Sequence, residues 1–150
     1  MGVYVERRTE MGSECVLVRA GTASEGRTGV TYAPGVSATT AGASGLCLQL
    51  ATLPPGARSR AHEHDRHESA AYVLEGEMVL WFGGRLEQKV VAGPGDFLYI
   101  PPGVPHLVLN GSDSEPAIAV LARNEATEQE DVTELPELDA LPHLEPETAA

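Results

Sequence analysis

The chain has 150 residues, enough for one domain with its own apolar core, and a formal charge of −12 from 22 acidic and 10 basic residues. Lys and Arg are nowhere clustered, which argues against a nucleic-acid partner, and no apolar run approaches the ~18 residues of a membrane helix. The first ten residues carry Glu6, Arg7, Arg8 and Glu10 with no apolar stretch behind them, so no secretory signal is expected and the chain is placed in the cytoplasm, with Cys15 and Cys47 as reduced thiols.

Taken in order, Cys15-Val16-Leu17-Val18 reads as a short strand. Residues 21–45, rich in Gly, Ala, Ser and Thr, read as loop with at most one edge strand. From Leu46 the pattern changes. LCLQLATL alternates in the manner of a half-buried strand and stops at Pro54-Pro55-Gly56. ARSRAHEH, SAAYVLEG, EMVLWFGG, LEQKVVAG, DFLYIPPG, VPHLVLNG and PAIAVLAR follow, spaced about 8 to 12 residues apart and punctuated by Gly, Pro or Asn. Such spacing predicts an all-β barrel or sandwich. EMVLWF is apolar on both faces, which predicts that a second subunit covers one of them.

Past Arg123 the composition shifts again: nine acidic residues follow (Glu125, Glu128, Glu130, Asp131, Glu134, Glu137, Asp139, Glu145 and Glu147) and no Lys or Arg. Removing them leaves about −3 on residues 1–123, so the acidity belongs to a tail. Asn124 is positioned to cap a short helix with Glu125 and Glu128 in its first turn. The Leu-Pro units of LPELDALPHLEP cannot continue it. The tail is read first as disordered, and second as a strap over the barrel or a partner subunit, which would give Leu135, Leu138, Leu141 and Leu144 a use. His143 is read as incidental. The organisation is therefore 1–45, N-terminal strands and loop; 46–123, barrel; and 124–150, acidic Leu/Pro-rich tail.

Three histidines carry the chemistry. His62 and His64 stand two residues apart, a spacing that puts both on one face of a strand. His106 lies in a later strand introduced by prolines and glycines. Imidazole is the commonest protein ligand for transition metals, and closing a small barrel makes inward positions converge. Gly95 and Gly103 permit turns with positive φ, Pro101 sets a bend, and Asn110 can bond locally to hold the turn after His106. By the same parity Arg60 shares the face of His62, where it is read either as an anchor for a substrate anion or as a rim ion pair. Tyr72, Trp81, Phe82, Phe97 and Tyr99 are read as core or subunit-interface residues.

Two segments resemble the paired motifs of the cupin superfamily. One is Gly56-ARSRA-His62-E-His64-DRH-Glu68 with Gly76 beyond it; the other is Gly95-DFLYI-Pro101-P-Gly103-VP-His106-LVL-Asn110. The resemblance covers roughly residues 45–121 and implies a jelly-roll β-barrel that holds one divalent transition metal (iron, manganese, nickel, zinc or copper). It implies His62, His64, Glu68 and His106 as ligands, and commonly a homodimer. The first motif departs from the pattern, because one residue too many separates Glu68 from Gly76; a β-bulge is expected between His64 and Gly76. A bulge after Glu68 turns that carboxylate inward as fourth ligand. A bulge before His67 turns His67, Ser69 and Ala71 inward, making His67 the alternative ligand and sending Glu68 out. If Glu68 is not a ligand it becomes the candidate general base. The implied functions are a metalloenzyme acting on a small organic metabolite, of oxygenase or isomerase/cyclase type, or a non-catalytic binding or sensing module; fold alone does not choose between them.

Overall fold

A computed structural model of the chain describes residues 4–6, 14–21, 24–25, 29–127 and 131–144. Each alternating segment of the sequence forms a strand. In order these are β1 (Tyr4–Glu6), β2 (Leu17–Arg19), β3 (Ser24–Glu25), β4 (Thr31–Val36), helix α1 (Ala38–Ala41), β5 (Cys47–Leu53), β6 (His62–His64), β7 (Ser69–Glu75), β8 (Met78–Phe82), β9 (Gln88–Ala92), β10 (Phe97–Ile100), β11 (His106–Asn110), β12 (Ala117–Arg123), β13 (Val132–Glu134), helix α2 (Pro136–Asp139) and a 3₁₀ turn, Pro142–Leu144. The loop expected over 21–45 is more ordered than its composition suggests. β4 pairs along β5, and Ser37 and Thr40 cap α1 reciprocally through side chain and backbone.

The strands make an all-β jelly roll of two facing sheets. One has the order β10-β7-β12-β5-β4-β3, the other β13-β6-β11-β8-β9; β1 and β2 form a separate pair. The strands of both sheets run antiparallel to their neighbours, so alternate residues point into the barrel. Val30, Leu53, Val73, Met78, Ala92, Ala117 and Ala119 are buried in one cluster between the sheets. Two devices close the ends. Gly76 takes φ 76° between β7 and β8, where a Cβ would lie 2.4 Å from the carbonyl oxygen of Pro116, so only glycine fits. Asn110, buried, donates from Nδ2 to the carbonyls of Leu53, Pro54 and Glu115 and accepts the Ser112 amide on Oδ1, tying the turn after β11 to the end of β5.

The chain beyond Arg123 does not follow the first reading. No helix starts at Asn124, because its side-chain oxygen accepts the Glu68 amide at 2.9 Å and is not used as a helix cap. Glu128, Glu130, Glu145 and Glu147 lie outside the described residues. Residues 131–144 form a strap across the outer face of the smaller sheet. β13 pairs with β6, and Leu138 and Leu144 bury against Ala61, Leu86 and Leu107, with Trp81, Leu109, Leu135 and Leu141 packed around them. Asp139 accepts the Ala61 amide on Oδ1 at 2.7 Å, and its carbonyl takes a bond from Arg58 Nη2. His143 is not incidental: its Nε2–H donates to the Leu86 carbonyl at 2.8 Å, and its ring meets Trp81 edge-on. Leu86 sits at φ 51° with its side chain fully buried beneath the strap, a strained conformation maintained by that packing. The second apolar face of EMVLWF, read as a subunit contact, is covered here by the chain's own C-terminal segment.

On the larger sheet the outward residues are Leu48 and Leu50 on β5, Ile118, Val120 and Ala122 on β12, Ala70, Tyr72 and Leu74 on β7, and Phe97 and Tyr99 on β10. None of these is charged; Glu75, at the end of β7, is the exception on this face. Among the described residues no helix is long and apolar enough to cross a membrane.

The strap makes a stability prediction. Leu138→Ala should lower the free energy of unfolding by about 2–3 kcal/mol in urea titrations, the cost of an apolar cavity, whereas Glu137→Ala on the exposed side of α2 should stay within about 0.5 kcal/mol of the parent.

Candidate metal centre

The site starts from one backbone register. In the antiparallel pair of β6 and β11, His106 lies directly opposite His62, and cross-strand neighbours have Cβ atoms about 5 Å apart. Their ring centroids are 4.3 Å apart. His64, two residues along β6, falls on the same face, 5.4 Å from His62 and 4.7 Å from His106 by ring centroid. All three are buried, and one ligand nitrogen from each lies within 4.8 Å of the others. Gly103 fastens the turn before β11 to this strand by donating its amide to the His64 carbonyl at 2.7 Å.

The hydrogen bonds select which nitrogen is left for an ion. His62 Nδ1–H donates to the Arg60 carbonyl at 2.6 Å and His106 Nδ1–H to the Val104 carbonyl at 2.9 Å. His64 Nδ1 pairs with Ser69 Oγ at 3.3 Å. The two carbonyls can only accept, so His62 and His106 carry their protons on Nδ1 and present the Nε2 lone pair, the arrangement by which partners behind a metal-binding imidazole fix its tautomer and orientation; with Nδ1 bonded to Ser69, His64 leaves its Nε2 toward the same space. Electrostatics act in the same direction. Burial, then the neighbouring His106, His67 and His62, lower the His64 pKa to about 2. Burial and His62 lower that of His106 to about 3 against the opposing Val104 hydrogen bond. Neutral imidazole is the form that binds metals, so the donor set fits a transition-metal cation.

The fourth position differs from the motif's expectation. β6 ends at His64, and a bend at Asp65 and Arg66 carries the chain out of the smaller sheet into β7 of the larger one. The bend shifts parity by one: His67 and Ser69 are buried and Glu68 is exposed. The extra residue before Gly76 is taken up separately, where β7 slips against β12 between Val73 and Glu75 and leaves Leu74 exposed. Glu68 is therefore neither a ligand nor a base facing the cavity. Its Oε2 accepts the Tyr99 hydroxyl at 2.8 Å on the outside of the barrel. His67 lies inside but stacks on His64 at 4.4 Å and 22° between ring planes, outside the three-histidine group. Arg60 also points outward, 61% exposed and 3.8 Å from Glu134 of the strap, so it is a rim ion pair and no anchor for a substrate anion.

The histidines stand in the wall of a narrow cavity of about 70 Å³ between the sheets. The other walls are apolar, among them Leu53, Met78, Leu80, Leu98, Val108 and Leu121, with Tyr32 contributing a phenol. No carboxylate lines the cavity among the described residues. Sequence reasoning missed Tyr32, because β4 lies in a segment whose composition reads as loop. It also missed Arg123, buried on β12 with Nη2 donating to the Thr127 carbonyl, since nothing in a terminal arginine marks it as internal.

Two outcomes are expected. His106→Ala should abolish stoichiometric metal in elemental analysis of the purified protein, while Glu68→Ala should leave it intact. For the metal-free protein, His64 and His106 stay neutral in the fold far below the ordinary value of 6.5. The unfolded chain therefore takes up protons first as pH falls. The contribution of these groups to stability is complete above about pH 6.5 and declines below it, so the urea midpoint of chelator-treated protein should drop between about pH 7 and pH 5.

Comparison with known proteins agrees with this geometry. A family model described as Cupin domain matches residues 49–122. Over 53 residues the chain is 40% identical to quercetin 2,3-dioxygenase of Bacillus subtilis (strain 168), a stretch that is 35% of this chain and 15% of that enzyme. It is 33% identical over 63 residues to an uncharacterized protein, MJ1618, of Methanocaldococcus jannaschii, covering 42% of this chain and 48% of that one. The chain thus spans less than half the length of these curated relatives. Among solved structures, TT1209 from Thermus thermophilus superposes with a TM-score of 0.54 at 28% identity, over 64% of this chain and 83% of that one. With both motifs, the two-sheet barrel and the family match in agreement, the chain belongs to the cupin superfamily.

Proposed function

We propose that this cupin is a metal-dependent enzyme of oxygenase type, acting on a small, largely apolar organic molecule that offers an enolate, phenolate or carboxylate oxygen. The observation that carries the reading is the pairing of a three-histidine cluster with an apolar cavity whose described lining contains no carboxylate. Isomerisation and cyclisation need a protein group to take and return a proton. Glu68, the candidate for that work, lies outside the barrel bonded to Tyr99. Tyr32 is the remaining hydroxyl on the cavity wall, and a phenol is a weak base at neutral pH.

His62, His64 and His106 would hold the ion through Nε2, with the Arg60 and Val104 carbonyls and Ser69 fixing their rings. A redox-active ion so bound would supply electron transfer to oxygen and polarise a coordinated substrate oxygen. Three neutral ligands leave the ion's charge uncompensated, which favours an anionic donor from the substrate. The aliphatic walls exclude water and favour a planar or aliphatic body over a sugar. The local similarity to a quercetin dioxygenase supports the oxygenase reading over the other cupin chemistries.

The test is oxygen uptake by protein loaded in turn with Fe(II), Mn(II), Ni(II), Cu(II) and Zn(II), over a panel of enolisable and phenolic compounds. Uptake is expected with one or more redox-active ions, with none for Zn(II) or for His106→Ala. Product formation without oxygen consumption would move the reading to isomerase or cyclase, and saturable ligand binding without turnover to a binding module. Ala71→Phe, which narrows the cavity from β7 without touching the histidines, should raise KM at least about tenfold while metal content is unchanged.

A further inference from the structure

The peptide group between Arg60 and Ala61 is bonded at both ends. Its carbonyl accepts His62 Nδ1–H at 2.6 Å, and its N–H donates to Oδ1 of Asp139 in the strap at 2.7 Å. Both distances lie at or below the short end of the ordinary N–H···O range. The strap grips this point firmly. Arg58 Nη2 donates to the Asp139 carbonyl at 2.8 Å, and the Leu135 amide donates to the Ala61 carbonyl at 2.9 Å. A carboxylate, a peptide and the ring of His62 therefore stand in one hydrogen-bonded line that ends at Nε2. The other two histidines have no such line behind them. The Val104 carbonyl, which accepts His106 Nδ1–H, belongs to a peptide whose nitrogen is that of Pro105 and carries no hydrogen. His64 Nδ1 meets the hydroxyl of Ser69.

We propose that Asp139 is a positioning residue of the metal centre, acting on His62 through the Arg60–Ala61 peptide. The proposal rests on the three histidines holding a cation and does not depend on the oxygenase reading. A carboxylate at the N–H end of a peptide shifts electron density toward its carbonyl oxygen, because bonds in a chain polarise one another. A stronger acceptor behind Nδ1–H holds the ring in place and makes Nε2 a better donor to an ion. The Nδ1 proton stays on His62 throughout. Water does little to screen the effect, since Ala61 is fully buried and His62 nearly so. In this way a set of neutral ligands gains part of the negative charge that Glu68, outside the barrel, does not supply. The strap thus serves the chemistry of the site as well as the stability of the sheet it covers.

Asp139→Asn keeps an oxygen for the Ala61 amide and removes the charge, so the strap should stay docked and the urea midpoint close to that of the parent. Zn(II) affinity, measured in competition with a chromophoric chelator, should fall about 3- to 10-fold, less than the ~10–100-fold loss for a group bonded to the ligand directly. In proton NMR of the Zn(II)-loaded protein the His62 Nδ1–H resonance should move upfield, while that of His106 should not. Glu137→Gln removes an equal charge from an exposed position of α2 and should change neither quantity. An Asp139→Asn protein that matches the parent in affinity and in the His62 resonance overturns the proposal and leaves Asp139 as a pin for the strap alone. So does an equal effect from Glu137→Gln, or an equal displacement of both histidine protons. If Asp139→Asn fails to fold, the parent decides. Zn(II) loading should move its Ala61 amide proton downfield, as a strengthened bond to Asp139 requires, and an unmoved or upfield-shifted amide overturns the proposal. A parent that takes up no Zn(II) overturns the metal centre itself, a result distinct from all of these.

Discussion

The site rests on a single register: His62 opposite His106 in the antiparallel pair of β6 and β11. Side chains alternate along a strand with period two, so slipping this pair by one residue would turn an imidazole out of the barrel. The register is fixed from both sides. Ser59 bonds Val108 through both its amide and its hydroxyl one step earlier, and β13 pairs with the opposite edge of β6. The carbonyls of Arg60 and Val104 that orient the rings lie just ahead of the same two strands, and so are positioned by the same bonds. Ligand placement is here a property of the backbone more than of side-chain packing.

The bend at Asp65 and Arg66 has two consequences. It moves the chain from one sheet to the other, which a two-sheet barrel requires somewhere. It also shifts strand parity, so His67 enters the barrel and Glu68 leaves it. The cavity thereby keeps three neutral nitrogen donors and loses the carboxylate that would have balanced an ion's charge or taken a proton. The carboxylate is not idle, because it orders Tyr99 on the outer surface. One change in direction therefore affects both the chemistry available inside and the surface presented outside.

The two outer faces are treated in opposite ways. Leu138 and Leu144 bring the smaller sheet's face into a second apolar cluster, supported by Asp139 and His143 bonding to the Ala61 amide and the Leu86 carbonyl. Glu134 and Glu137 of the strap face solvent while its leucines face the sheet, which explains how a segment so rich in charge can still be part of the fold. The larger sheet has no such cover among the described residues, and its outward side chains are uncharged except for Glu75 at the end of β7.

Much of this was legible in the sequence because it is encoded locally. Alternation placed the strands from β5 to β12, since period two is a property of consecutive residues. The spacing of His62 and His64, and the turn-forming Gly103 ahead of His106, marked the side chains of the three-histidine cluster for the same reason. Asn110 was read correctly as a turn-holding residue. What the sequence left open is decided at a distance. Whether Glu68 or His67 faces inward depends on which sheet the chain enters after Arg66, and two positions one residue apart are locally equivalent until that happens. Whether Leu138 and Leu144 are buried depends on an apolar face assembled from Ala61, Leu86 and Leu107, which are far away in the chain. Local pattern determined which residues form strands and turns; tertiary structure decided which way their side chains face, because inside and outside exist only once the two sheets have met.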